Sequence, residues 1–129
     1  MRRAMTTVLV VDDEPGMRFA LTEVLRDRGY RVVCASSGMQ ALGLLTGVDV
    51  VVTDLMMPGM DGLELVSQIA ARSPALPVLL LTAHGSDQMV RVACSRGARG
   101  CLSKPFDIDE IAQVIERLAA APQAQPSER

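Results

Sequence analysis

The chain has 129 residues, the length of one domain of common size, and 49% of them are apolar against 22% charged, which excludes disorder throughout. Thirteen Lys and Arg against fifteen Asp and Glu leave a net charge of −2; that argues against direct nucleic acid binding, whose affinity rests on neutralising phosphates. No apolar run approaches the ~18–20 residues that cross a bilayer, and the N-terminus lacks the apolar stretch of a signal peptide, so a membrane role is not expected.

In chain order, short apolar runs alternate with segments of helical pattern. The runs are Val8–Val11, Arg31–Ala35, Val50–Thr53, Val78–Leu81 and the weaker Gly100–Ser103. The first four are mostly continuously apolar rather than alternating, which marks strands covered on both faces. After the first run, Pro15 suits a first helical position, and Met17, Ala20, Leu21, Val24 and Leu25 form one apolar stripe that Gly29 ends. Phe19 lies opposite the Met17, Leu21 and Leu25 face and is expected to point outward. Ser36 or Ser37 can cap a short helix through Leu45, and Asp61 a third helix carrying Leu63, Val66, Ile69 and Ala70. Asp87 opens a fourth, ended by Gly97, and Asp107 with Glu110 fits a reciprocal cap for a fifth striped by Ile108, Ile111, Ile115 and Leu118.

Five strand–helix units predict an α/β domain: an open, doubly wound, five-stranded parallel sheet in the order 2-1-3-4-5, a flavodoxin-like three-layer sandwich. Residues 1–121 are expected to form this domain. Residues 122–129, with two prolines and no periodicity, read as a disordered tail or the start of a linker. The three cysteines, Cys34, Cys94 and Cys101, are odd in number and include no Cys-x-x-Cys pair, which speaks against a disulfide framework or a zinc site and for a reducing cytoplasm. Cys34 and Cys94 are expected to be small core residues.

The ligand crevice of such a sheet lies past the carboxyl ends of its strands. Asp12 and Asp13 follow the first run and Asp54 the third, so in this strand order three carboxylates converge. Two carboxylates ~4 Å apart repel by about 4 kcal/mol at an effective dielectric near 20, so the cluster needs a cation. Hard oxygen ligands suit Mg2+. Thr82 follows the fourth run and Lys104 the fifth. Acid, acid, hydroxyl and amine suit the holding of a phosphoryl group, with Asp54 as the nucleophile. Pro58-Gly59 shapes the next loop, and His84 reads as a surface loop residue.

The motifs Val8-Leu-Val-Val-Asp-Asp-Glu-Pro15, Val51-Val-Thr-Asp-Leu-Met-Met-Pro-Gly-Met-Asp-Gly62, Leu79-Leu-Leu-Thr-Ala83 and Leu102-Ser-Lys-Pro-Phe106 together resemble the receiver domain of bacterial two-component response regulators. The resemblance implies a switch, not an enzyme acting on an external substrate. Asp54 would accept phosphate from a histidine kinase or histidine phosphotransfer protein, and lose it by slow self-hydrolysis. Asp13, Asp54 and the backbone carbonyl of Met56 would bind Mg2+, with Asp12 acting through water. Thr82 and Lys104 would contact the phosphoryl group, and the Lys104–Pro105 bond would be cis. The first helix would dock the phosphodonor, with Met17, Ala20 and Val24 at matching positions; Phe19, from its outward direction, is either a further contact or, as the preferred reading, a ring folded back on its own helix. A downstream partner, an effector domain beyond residue 129 or a dimer formed on phosphorylation would carry the output. One position departs from the pattern. Cys101 stands where receivers usually carry the Tyr or Phe that swings inward with the threonine.

Three rival readings remain at this stage. An aspartyl-nucleophile phosphatase would place its nucleophile after the first strand and a second Asp two residues on, where this chain has Glu14. A flavin protein needs a hydroxyl-rich phosphate loop and stacking rings, and the chain has two Phe, one Tyr and no Trp. A receiver fold that only docks would not need the complete acid set.

Overall fold

The computed structural model describes residues 5–83, 86–103 and 105–120. Five strands, β1 (Thr7–Val11), β2 (Arg31–Ala35), β3 (Val50–Asp54), β4 (Val78–Thr82) and β5 (Gly100–Ser103), form one parallel sheet in the order β2-β1-β3-β4-β5. Five helices alternate with them: α1 (Pro15–Asp27), α2 (Gly38–Leu42), α3 (Gly62–Arg72), α4 (Asp87–Ser95) and α5 (Ile108–Ala120). The expected fold class, strand order and element count are those of the structure.

The strand alternation splits the core into two layers. Leu9, Val11, Val51, Val78 and Leu80 pack with residues of α2, α3 and α4, whereas Val8, Val10, Val50, Val52, Leu79 and Leu81 pack with those of α1 and α5. The inner strands β1 and β4 are buried along their whole length. Coverage of both faces fails at the edge strands: β2 is largely exposed or half-buried, and β5 is half-buried until the exposed Ser103. An edge strand has a neighbour on one side only, and short helices cover it incompletely.

The helix starts follow side-chain capping. Ser37 Oγ accepts from Gln40 N–H at 3.1 Å, and Gln40 Oε1 accepts from Ser36 N–H at 2.7 Å, so both serines serve α2. Asp61 accepts from Glu64 N–H at 2.9 Å and Asp107 from Glu110 N–H at 2.7 Å. Helix α4 opens at Asp87 as expected, and its cap is Ser86, which accepts from Met89 N–H at 3.1 Å. Helix α2 stops at Leu42 rather than Leu45, because the chain tightens there: Gly43 N–H donates to Gln40 and Leu44 N–H to Ala41. Gly29 sits just past α1 at φ 93°, a left-handed conformation that favours glycine.

Cys34 and Cys94 are exposed, against the expectation of core positions. Cys34 lies on edge strand β2 with its Sγ 3.3 Å from Thr22 Oγ1, and Cys94 follows the buried Ala93 on α4. The expected tail over 122–129 lies outside the described residues, as does His84.

Candidate functional site

Register brings the acids together. Strands β1 and β3 pair Val10 with Val52 and Val11 with Thr53, so one further step sets Asp12 beside Asp54. Carboxylate oxygens of Asp12, Asp13 and Asp54 lie within 4.8 Å of one another. Asp12 is buried, Asp54 half-buried and Asp13 exposed. The cluster therefore opens to solvent on one side and rests on the sheet on the other.

The strand ends are fixed by main-chain hydrogen bonds. Asp12 N–H donates to Ala35 O at 3.1 Å, and Leu55 N–H, just past Asp54, donates to Leu81 O at 2.9 Å. Gly62 N–H, opening α3, donates to Leu55 O at 2.8 Å. A Cβ at Gly62 would collide with the Asp54 carbonyl oxygen and would lie 2.8 Å from Leu55 Cα, so only glycine lets α3 approach this closely. Glu14 N–H donates to Asp12 Oδ1 at 2.9 Å, and the Arg18 guanidinium donates to the Asp12 carbonyl at 2.7 Å. Sequence reasoning passed over both Gly62 and Arg18 as site residues. The available signals were a glycine at a first helical position and the lone cation between Asp12 and Arg26.

Burial pushes the Asp12 carboxyl above the usual carboxylate value. The Glu14 N–H bond pulls it back, the Asp13 and Glu14 charges raise it further, and the Arg18 charge lowers it. Carboxylate oxygens gathered this closely fit a divalent cation, which offsets their mutual repulsion. The all-oxygen donor set, open on one side for water, suits a hard cation such as Mg2+.

Thr82 ends β4 and is 1% exposed, while Asp54 pairs with Leu81 one step earlier, so the hydroxyl stands at the same end of the sheet as the acids. Met56 lies two residues past Asp54 in the loop before α3 and is exposed. Thr82 also pairs with Ser103, the residue before Lys104. Lys104 itself, and with it the expected cis Lys104–Pro105 bond, lies outside the described residues. Cys101, opposite Leu80, is half-buried and joins the layer containing Ala93 and Ala98. Burial pushes its thiol up, and Cys94 on α4 adds to the rise. On α1, Met17, Ala20 and Val24 are half-buried and Phe19 is 67% exposed, pointing outward as the helical spacing predicts.

An open α/β sheet with an acidic cluster at the carboxyl ends of its first and third strands defines a class of phosphoacceptor-type domains. Within it, the model of the response regulator receiver domain matches residues 8–116, and the chain belongs to that family. It is 37% identical over 112 residues to sporulation initiation phosphotransferase F of Bacillus subtilis, covering 85% of this chain and 90% of that protein. It is 40% identical over 124 residues to the DNA-binding transcriptional regulator NtrC of Salmonella typhimurium, covering 95% of this chain but 26% of that protein. The chain thus spans about a quarter of the length of the NtrC relatives it matches. Among solved structures, the response regulator protein TrrA from Thermotoga maritima in complex with Mg2+ and beryllium fluoride superposes with a TM-score of 0.79 at 34% identity, over 88% of this chain and 99% of that one. Among the described residues, no helix is long and apolar enough to cross a membrane.

Proposed function

We propose that this receiver domain is a phosphorylation-controlled signalling switch in which Asp54 is the phosphoacceptor. The observation that carries the reading is the meeting of Asp12, Asp13 and Asp54 carboxylates within 4.8 Å at adjacent strand ends. The phosphodonor is a histidine kinase or histidine phosphotransfer protein. An Asp54 oxygen attacks the phosphorus, the O–P bond forms, the N–P bond to the donor imidazole breaks, and the imidazole keeps the electron pair. Asp13, Asp54 and the Met56 carbonyl would hold Mg2+, with Asp12 acting through water, and the bound cation would supply positive charge to offset that of the phosphoryl oxygens. Thr82 donates its hydroxyl hydrogen to a phosphoryl oxygen, and Lys104 supplies a positive charge. Hydrolysis of the acyl phosphate resets the switch. The exposed Phe19 with Met17, Ala20 and Val24 on α1 forms the donor-facing surface, and the altered surface acts on a downstream partner or effector domain.

The test is labelling by acetyl phosphate or a phosphorylated kinase domain. Asp54→Asn keeps the shape and removes the nucleophile, so labelling is lost while the circular dichroism spectrum stays. A variant labelled on aspartate at the wild-type rate would overturn the assignment.

A further inference from the structure

The loop from Asp12 to Glu14 is anchored unevenly. Asp12 N–H is held by Ala35 O at 3.1 Å, and Asp12 Oδ1 by Glu14 N–H at 2.9 Å. The first bond fixes Asp12 itself; the second closes a turn from Asp12 to Glu14 around Asp13. Asp13 is exposed, so packing constrains its direction little. Glu14, the residue before α1, makes no side-chain cap. Beyond that turn, the start of Asp13 follows the plane of the Asp12–Asp13 peptide, because that unit is rigid and its carbonyl and N–H turn together. The Asp12 carbonyl accepts from Arg18 Nη1 at 2.7 Å, a short charge-assisted bond from the first turns of α1.

We propose that Arg18 is a positioning residue for the acidic site: its guanidinium holds the Asp12–Asp13 peptide plane so that the Asp13 carboxylate meets Asp12 and Asp54. The inference rests on the cation-binding reading given above. Arg18 is half-buried, and its planar fork loses little freedom on making this bond. Its charge and its geometry act in opposite directions on a bound cation. A positive charge beside the cluster repels Mg2+, so a purely electrostatic Arg18 would weaken binding, and its removal would tighten it. A group that orients a ligand behaves in the reverse way, since its loss scatters the donor set.

The experiment is a calorimetric Mg2+ titration of the wild type, Arg18→Met, Arg18→Lys and, as a control on the cation reading, Asp13→Asn. Arg18→Met is expected to weaken Mg2+ binding about tenfold, the lower end for ligand-orienting groups because the lost repulsion offsets part of the effect. Arg18→Lys should recover part of that loss, as an ammonium can donate but lacks the fork. In metal-free protein, the Asp13 amide should change its NMR shift and exchange faster in Arg18→Met. Mg2+ binding by Arg18→Met as tight as, or tighter than, that of the wild type would overturn the proposal. Should that variant fail to fold, Arg18→Gln decides, since it removes the charge and is too short to keep the bond to the Asp12 carbonyl; Mg2+ binding there as tight as, or tighter than, that of the wild type would overturn the proposal. Wild-type binding that Asp13→Asn weakens and Arg18→Met leaves intact overturns the Arg18 role alone. A wild type that does not bind Mg2+ overturns the cation reading and this one together.

Discussion

The acidic half of the site grows from β1 and β3, and each of these strands has a neighbour on both sides; Cys101, at the position where receivers usually carry the swinging ring, sits on β5, which has one neighbour. Val11 and Thr53, the last residues before the acids converge, are 1% and 0% exposed, whereas Gly100, Cys101 and Leu102 are only half-buried. Dense packing tolerates little displacement, so carboxylates on the inner strands keep their mutual distances. An edge strand under a short helix can shift at lower cost. The three acids thus stand where the fold is stiffest, and Cys101 where it yields.

The largest expected effect breaks the stiff half. In Gly62→Ala the new methyl group would press on the Asp54 carbonyl, on Leu55 and on Leu80 Cδ1 at 2.7 Å. Overpacking of this kind costs about 1–3 kcal/mol, and the backbone atoms here can give little, so the upper end is expected in urea unfolding. The strain falls on the residue that carries Asp54, so the folded fraction should also accept phosphate more slowly. A fully active, equally stable Gly62→Ala protein would show that α3 can retreat from the strand end.

A smaller effect concerns the charge that the stiff half confines. Burial holds the Asp12 pKa above its unfolded value. The sign follows: the favourable protonated form is retained below the unfolded pKa, and that contribution is lost as pH rises through the folded one. At neutral pH the metal-free protein therefore carries the cost of an ionised, buried carboxylate. Asp12→Asn keeps an oxygen for Glu14 N–H and removes the charge. It should melt a few degrees higher than the wild type at pH 7 without Mg2+, the shift that roughly 1 kcal/mol gives in a domain of this length. The gap should close as pH falls through the acidic range, and Mg2+ should raise the melting temperature of the wild type more than that of the variant. A gap that does not change with pH would place the effect outside Asp12 ionisation.

The stiff half was also the legible half. Strands β1, β3 and β4 announce themselves as continuous apolar runs because both of their faces are covered, and the residues after them can be placed by register alone. The edge strands were harder. Arg31–Ala35 has the same apolar pattern as an inner strand, yet Cys34 faces solvent, because coverage depends on neighbours that the local pattern does not encode. Cys94 misled in the same way: a thiol in an amphipathic helix reads as core unless the helix face is known. Gly62 and Arg18 act through backbone atoms, the Asp54 carbonyl and the Asp12 carbonyl, and such atoms carry no residue-type signal. The end of α2 at Leu42 rests on a tightened last turn, for which Gly43 was the available sign.

The smallest expected effect sharpens the yielding half. Cys101 pairs with Leu80 and Ser103 with Thr82, so with a period of two Cys101 and Thr82 direct their side chains to one face of the sheet. Leu80 packs there with Ala93 and Ala98, and so does Cys101. A thiol in that layer is too small to trade an outward position for an inward one when Thr82 moves. Beryllium fluoride with Mg2+, a phosphoryl mimic, should then shift NMR signals most at Thr82 and the first turn of α4, and little at Cys101 and Leu102. Coupling between the site and the outer face of β5 should lie toward the lower end of the ~1–3 kcal/mol typical of linked sites. Cys101→Tyr restores a ring that can occupy either position, and it should enlarge the shifts on α4 and α5 without altering the rate at which Asp54 accepts phosphate. Shifts at Cys101 and Leu102 in the wild type as large as those at Thr82 would show that the edge strand moves without a ring, and that its half-buried backbone, rather than one side chain, carries the signal.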